Sequence, residues 1–136
     1  MKLQQSGYDT HAGQAGRLSR LLHDLAAGLD AFRRTLKAAG AWDRTLVMTY
    51  GEFGRRAGEN ASGGTDHGTA APHFLLGGKV KGGLFGAQPP LHDLENDDLR
   101  PGMDFRRLYA TAAQAWWGLR PTPDALANER PLDCIA

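Results

Sequence analysis

Three short polar clusters, each set among glycines, carry the side chains best suited to chemistry. They are Gly7-Tyr8-Asp9-Thr10-His11, Gly51-Glu52-Phe53-Gly54-Arg55-Arg56 and Gly63-Gly64-Thr65-Asp66-His67-Gly68-Thr69. Carboxylate oxygen and imidazole nitrogen together suit zinc, manganese or iron better than calcium, which prefers oxygen alone. Glycine beside a ligand lets the backbone turn sharply and approach closely. Two histidines and two or three carboxylates drawn from three loops make one complete metal site, or parts of two. The same residues also suit ordinary turns, with Asp66 capping backbone amides and Asp9-Thr10 doing so ahead of a helix N-terminus.

Other candidates are weaker. His23 falls near the polar side of a helix and reads as a surface residue. His73 opens a strand beside Pro72 and reads as a hydrogen-bonded, partly buried imidazole. His92 sits among Asp93, Glu95, Asp97 and Asp98, a solvated acidic loop without the glycine-centred spacing of a calcium loop. Ser62, Asp66 and His67 lack the nucleophile-elbow pattern of a hydrolase triad. Asn60-Ala61-Ser62 fits a glycosylation acceptor, with no other sign of a glycosylated secreted protein. Trp116-Trp117 reads as core plus interface. Cys134 has no basic neighbour besides Arg130, so its thiol is not expected to be reactive.

These clusters must be positioned by elements, and the flanks of the chain supply them. Leu18, Leu21, Leu22, Leu25, Leu29, Phe32 and Leu36 recur at three- and four-residue steps. That apolar stripe predicts an amphipathic helix from Gln14 to Ala39, stopped by Gly40. Thr45 to Tyr50, rich in β-branched and aromatic residues and closed by Gly51, predicts a buried strand. His73 to Leu76 predicts a second strand and Gly83 to Gly86 a short third. Gln88 to Gly102 reads as a surface loop. A second helix is predicted with Asp104 as N-cap, presenting Phe105, Leu108, Tyr109, Ala112, Ala113, Trp116 and Trp117, and ending at Gly118 before Pro121. The tail beyond has weak periodicity and a small apolar end at Leu132 and Ile135.

A helix followed by a buried strand predicts an α/β unit with parallel pairing. In open sheets of that kind, ligands gather beyond the carboxyl ends of the strands, where the polar clusters fall. Such a unit needs a strand before the first helix, and Met1 to Ser6 makes a poor one. The chain is therefore expected to lack its N-terminal part.

Composition narrows the reading further. The chain has 136 residues, one domain's length, with 41% hydrophobic and 23% charged residues, which excludes wholesale disorder. Sixteen Lys and Arg against 15 Asp and Glu give a net charge of +1, so no global field points to nucleic acid or an acidic membrane. A single cysteine excludes an internal disulfide, and no apolar run reaches the roughly 18 residues of a membrane span. The first residues lack the apolar stretch of a signal peptide. Twelve of the 18 glycines lie between Gly51 and Gly102, so the middle of the chain is rich in loops.

Several motifs in order carry a family resemblance: Gly-Tyr-Asp-Thr-His at 7–11, Leu-Val-Met-Thr-Tyr-Gly-Glu-Phe-Gly-Arg-Arg at 46–56, and Gly-Gly-Thr-Asp-His-Gly-Thr-Ala-Ala-Pro at 63–72. Val80 to Gly86 and the Asp104 to Gly118 helix extend it. The chain resembles the C-terminal part of an uncharacterised, sulfatase-like bacterial family of the alkaline phosphatase superfamily. The resemblance implies a layered α/β/α fold, with residues 1–136 forming one portion, about the last third, of a longer domain. It also implies a divalent metal, zinc or manganese. Asp9 and His11 match one ligand pair, Glu52 a second acidic position and His67 a last histidine, with Asp66 as its neighbour. Phe53 stands where a further histidine ligand is usual, which points away from a standard two-zinc site.

By the same resemblance, Arg55 or Arg56 would pair with the oxygens of a bound anion, and the substrate of the intact protein would be a phosphoric or sulfuric ester. The attacking hydroxyl is expected outside this chain, so the chain alone is expected to be inactive. The alternative is a non-catalytic binding or structural module on a degenerate version of the fold. Intact relatives often carry export signals, which suggests a periplasmic or exported full-length protein. Self-association through an exposed sheet edge is also expected, because a sheet cut from its neighbours leaves unpaired backbone.

Overall fold

The computed structural model of the chain describes residues 1–120, 126 and 128–136. The leucine stripe forms helix α1, Gln14–Ala38, as its spacing requires. Gly40, at φ 62°, takes the left-handed turn that ends it. Leu18, Leu21, Leu25, Leu29, Phe32 and Leu36 are half-buried, Leu22 is exposed, and no residue of the helix is fully buried. A 3₁₀ turn, Trp42–Arg44, leads into strand β1, Leu46–Met48.

β1 pairs with β4, Leu75–Gly77, in the register Leu46 to Gly77, Val47 to Leu76 and Met48 to Leu75. The pairing is antiparallel, which overturns the expected parallel unit. Parallel strands need a crossover connection, usually helical, to return the chain to the same end. The segment between β1 and β4 instead holds glycine-rich loops and one small antiparallel pair, β2 (Gly54–Arg55) with β3 (His67–Gly68). A third pair joins β5, Leu94–Glu95, to β6, Asp98–Leu99, inside the expected surface loop. Asn96 and Asp97 at its tip have φ of 52° and 68°, the two positive values a tight two-residue hairpin turn requires. Gly83 to Gly86 forms no strand, and Leu84 is fully exposed. Among the described residues the sheets are three separate two-stranded ribbons. The chain is thus mixed α/β, with two helices and small antiparallel sheets rather than one central layer.

The second helix begins as α2, Arg106–Ala110, and continues as a π-helical turn, Thr111–Trp116. The N-cap is Phe105, one residue past the expected Asp104, yet Asp104 still serves the first turn: its carboxylate accepts the Arg106 backbone N–H at 2.8 Å and two guanidinium N–H groups at 3.0 and 2.6 Å. The Arg106 side chain and backbone together pull the Asp104 pKa down to about 2. The switch to π geometry coincides with Thr111, which is fully buried. Its hydroxyl donates to the Arg107 carbonyl and accepts the Leu132 N–H, so an outside strand of chain is tied into the helix ladder. Pro121, expected just past the helix end, lies outside the described residues.

The core is small. Leu108, Leu132 and Cys134 are buried together, with Met48, Leu75, Met103 and Ile135 packed against them. It joins α2, the β1–β4 pair and the C-terminal segment. That segment is fixed by a Val80–Ile135 bridge, and the Lys81 and Ala136 N–H groups donate to Cys134 and Lys79 carbonyls at 2.8 Å. Burial pushes the Cys134 thiol pKa up, in keeping with an inert packing role.

Candidate metal site

The loop before α1 and the loop before β3 are zipped together. Gly13 N–H donates to Ser62 O at 3.0 Å and Gln14 N–H to Gly63 O at 2.8 Å. Asn60 organises the second loop through an Asx turn, its Oδ1 accepting the Ser62 and Gly64 N–H groups at 3.0 and 3.1 Å. Its Nδ2 donates to the His11 carbonyl and to Asp66 Oδ1, both at 3.1 Å. The Gln14 carboxamide reaches the hydroxyls of Thr10, which is fully buried, and Thr65 at 2.8 and 2.9 Å. Gly64 lies against His11 so closely that a Cβ there would collide with the His11 carbonyl carbon.

This zipper converges three donors. Asp9 Oδ1 lies 2.8 Å from His67 Nε2 and 3.0 Å from His11 Nε2, and the two Nε2 atoms are 3.2 Å apart. A tetrahedral zinc site with bonds of 2.0–2.1 Å has ligand atoms about 3.3–3.4 Å apart, so the three donors are spaced to share one small cation. Three protein ligands with a further position open is the pattern of a catalytic site, and all three residues are exposed. His11 Nδ1 lies 3.3 Å from Asp66 Oδ1. With the proton on Nδ1 donated to that carboxylate, the Nε2 lone pair is free to face the cluster, the arrangement that orients metal-binding imidazoles. The His67 hydrogen bond, with a further one from Arg55, holds the Asp9 carboxyl below its ordinary pKa. Asn60 and then His11 do the same for Asp66.

Asp9, His11 and His67 are thus brought together, but Glu52 is not. It sits exposed in the bend before β2 and takes no part in the cluster. Phe53 instead lies face to face with His67, ring centroids 3.9 Å apart and planes 10° apart. Arg55 does not present a free guanidinium for an anion. Its N–H groups donate to the Tyr8 carbonyl at 2.7 Å, to the Thr65 carbonyl and to Asp9 Oδ1 at 3.3 Å. Arg56 faces Asp97 and Asp98, at 3.9 Å from each. The acids of the β5–β6 hairpin are matched by arginines: Arg100 pairs with Asp93 and Glu95 at 3.3 and 3.1 Å. Asn60 and Gln14 are the supporting residues that sequence reading missed. Asn60 could have been found from its place two residues ahead of Ser62 in a glycine-rich loop, the reach of an Asx turn.

The fold and site define a mixed α/β chain with an exposed two-histidine, one-carboxylate triad. The family described as "Protein of unknown function (DUF1501)" matches residues 1–127, and the chain belongs to that family. No curated protein and no solved structure matches it. Among the described residues, no helix is long and apolar enough to cross a membrane.

Proposed function

We propose that the chain is the metal-binding portion of a phosphatase- or sulfatase-like ester hydrolase with an alkaline phosphatase-like fold. The observation that carries the reading is the convergence of Asp9 Oδ1, His11 Nε2 and His67 Nε2 within 3.2 Å of one another. The ordered motifs at 7–11, 46–56 and 63–72 support the ester chemistry. A divalent metal, zinc or manganese, held by these three residues would lower the pKa of an attacking oxygen and neutralise charge developing on the ester. The chain's own residues bind and orient. Asp66 fixes the tautomer of His11, and Arg55 and Asn60 hold the two loops at the spacing the donors need. The threonine hydroxyls on the two loops are bound to Gln14, so they serve structure rather than attack.

The proposal predicts one metal equivalent on the purified protein, measured by elemental mass spectrometry after preparation without a histidine tag. His11→Ala and His67→Ala should each lose it, and unchanged occupancy in both would remove the reading. Hydrolysis of aryl phosphate and sulfate esters by the natural protein that contains this chain, lost in Asp9→Asn, tests the catalytic half.

A second reading is a binding module without catalysis. It is favoured by the Phe53 ring over His67 and by the two engaged arginines, which leave the anion of a substrate without an evident partner. Metal binding with no ester hydrolysis in the natural protein would select it. Under either reading we expect association through the open strand edges.

A further inference from the structure

We propose that Phe53 and Arg55 form a positioning clamp that presets His67 and Asp9 for metal binding. The inference rests on the metal reading above and assigns these residues a role that touches no substrate. In the β2–β3 pair Arg55 stands directly opposite His67. Phe53, just ahead of β2, stacks on the His67 ring, while Gly54 between it and Arg55 is buried without a side chain. Phe53 supplies a flat wall at 3.9 Å that restricts the imidazole plane of His67. The Arg55 guanidinium lies 4.9 Å from the centre of the Phe53 ring. From there it reaches the Tyr8 carbonyl at 2.7 Å and Asp9 Oδ1 at 3.3 Å, and it also binds the Thr65 carbonyl.

One planar side chain therefore ties the Asp9 loop, the β2 strand and the His67 loop. Lysine cannot reproduce that fork, because an ammonium is a compact point charge without fixed donor directions. Groups that orient metal ligands typically change metal affinity 10- to 100-fold when removed. A donor set held in place before binding loses less freedom on binding, which raises affinity without any new bond to the ion.

The test is zinc affinity of the full chain by competition with a chromophoric chelator, beside the visible absorption of the Co²⁺-loaded protein. Circular dichroism of α1 serves as the check on folding. Arg55→Lys and Phe53→Leu should each weaken zinc binding about 10- to 100-fold and alter the Co²⁺ band. Phe53→Tyr, which keeps the flat ring, should retain both affinity and band. Wild-type affinity in a folded Arg55→Lys or in Phe53→Leu overturns the clamp, as does equal weakening in Phe53→Tyr and Phe53→Leu. If Arg55→Lys does not fold, the Phe53 pair decides alone. Wild-type protein that binds neither zinc nor Co²⁺ overturns the clamp and the metal reading together, whereas binding that is indifferent to these substitutions overturns the clamp only.

Discussion

Asn60 shows how much of the site depends on a residue that carries no chemistry. Its carboxamide makes four hydrogen bonds, two as acceptor to its own loop and two as donor to His11 and Asp66. Asn60→Asp keeps the shape and the acceptor but removes the donors, and it places a second negative charge beside Asp66. Stability should fall by about 1–2 kcal/mol, the scale of lost hydrogen bonds with a group left unpaired. Urea denaturation of the two proteins would check it, and an unchanged midpoint would show that the loops are held elsewhere. Gly64→Ala should act by a different route, since the added methyl must push the His11 backbone away. Its cost is expected in the range of about 1–3 kcal/mol typical of overpacking, with weakened metal binding alongside. At this scale the sequence disclosed Asp9, His11 and His67 through their glycine-flanked settings. It did not disclose that Glu52 stays out. Glu52 lies in an exposed bend outside β2, and the direction in which such a bend turns its side chain is not written in local composition.

Elements divide by how local their causes are. Helix α1 was legible because its leucine spacing and its closing glycine lie within one segment. The strand positions around Val47 and Leu76 were also legible from composition, but their direction was not. Three-residue strands owe their pairing to a partner about thirty residues away, and direction follows from the connection rather than from the strand. The π turn was hidden for the same reason, since it depends on Leu132 meeting Thr111 from a distant part of the chain.

The acid that serves the first turn of α2 was visible as Asp104, one residue ahead of the Phe105 cap, and it makes a pH prediction. Folding lowers the Asp104 pKa from 3.8 to about 2. A carboxylate lowered on folding contributes stability that is complete above its unfolded value and is lost as pH falls through the folded value. The difference in melting temperature between the wild type and Asp104→Asn should therefore be constant above about pH 5, shrink progressively below it and be mostly gone by about pH 2. A difference that persists undiminished at pH 2 would mean the carboxylate charge is not what serves that turn.

For the whole molecule the decisive quantity is exposed surface. The chain exposes 9514 Å², against about 6,900 Å² for a globular protein of 14.7 kDa. The half-buried stripe of α1 and the exposed Trp117, Phe105 and Leu84 account for part of that excess. Such a surface favours association, and the isolated chain should run larger than 14.7 kDa in light scattering and bind a hydrophobic dye. A monomer with one sharp melt and no dye binding would contradict this. Composition hinted at none of it, because an average apolar content says nothing about how much of it finds a partner.

Asp9 and His11 lie 58 and 56 positions from His67 along the chain. An ion gripped by all three would be a removable staple closing that long loop, and in chain-entropy terms long loops gain most from being closed. With little buried interior to share the load, chelation should lower the melting temperature of the entire chain rather than loosen one corner of it. Calorimetry with and without a chelator would read that difference directly.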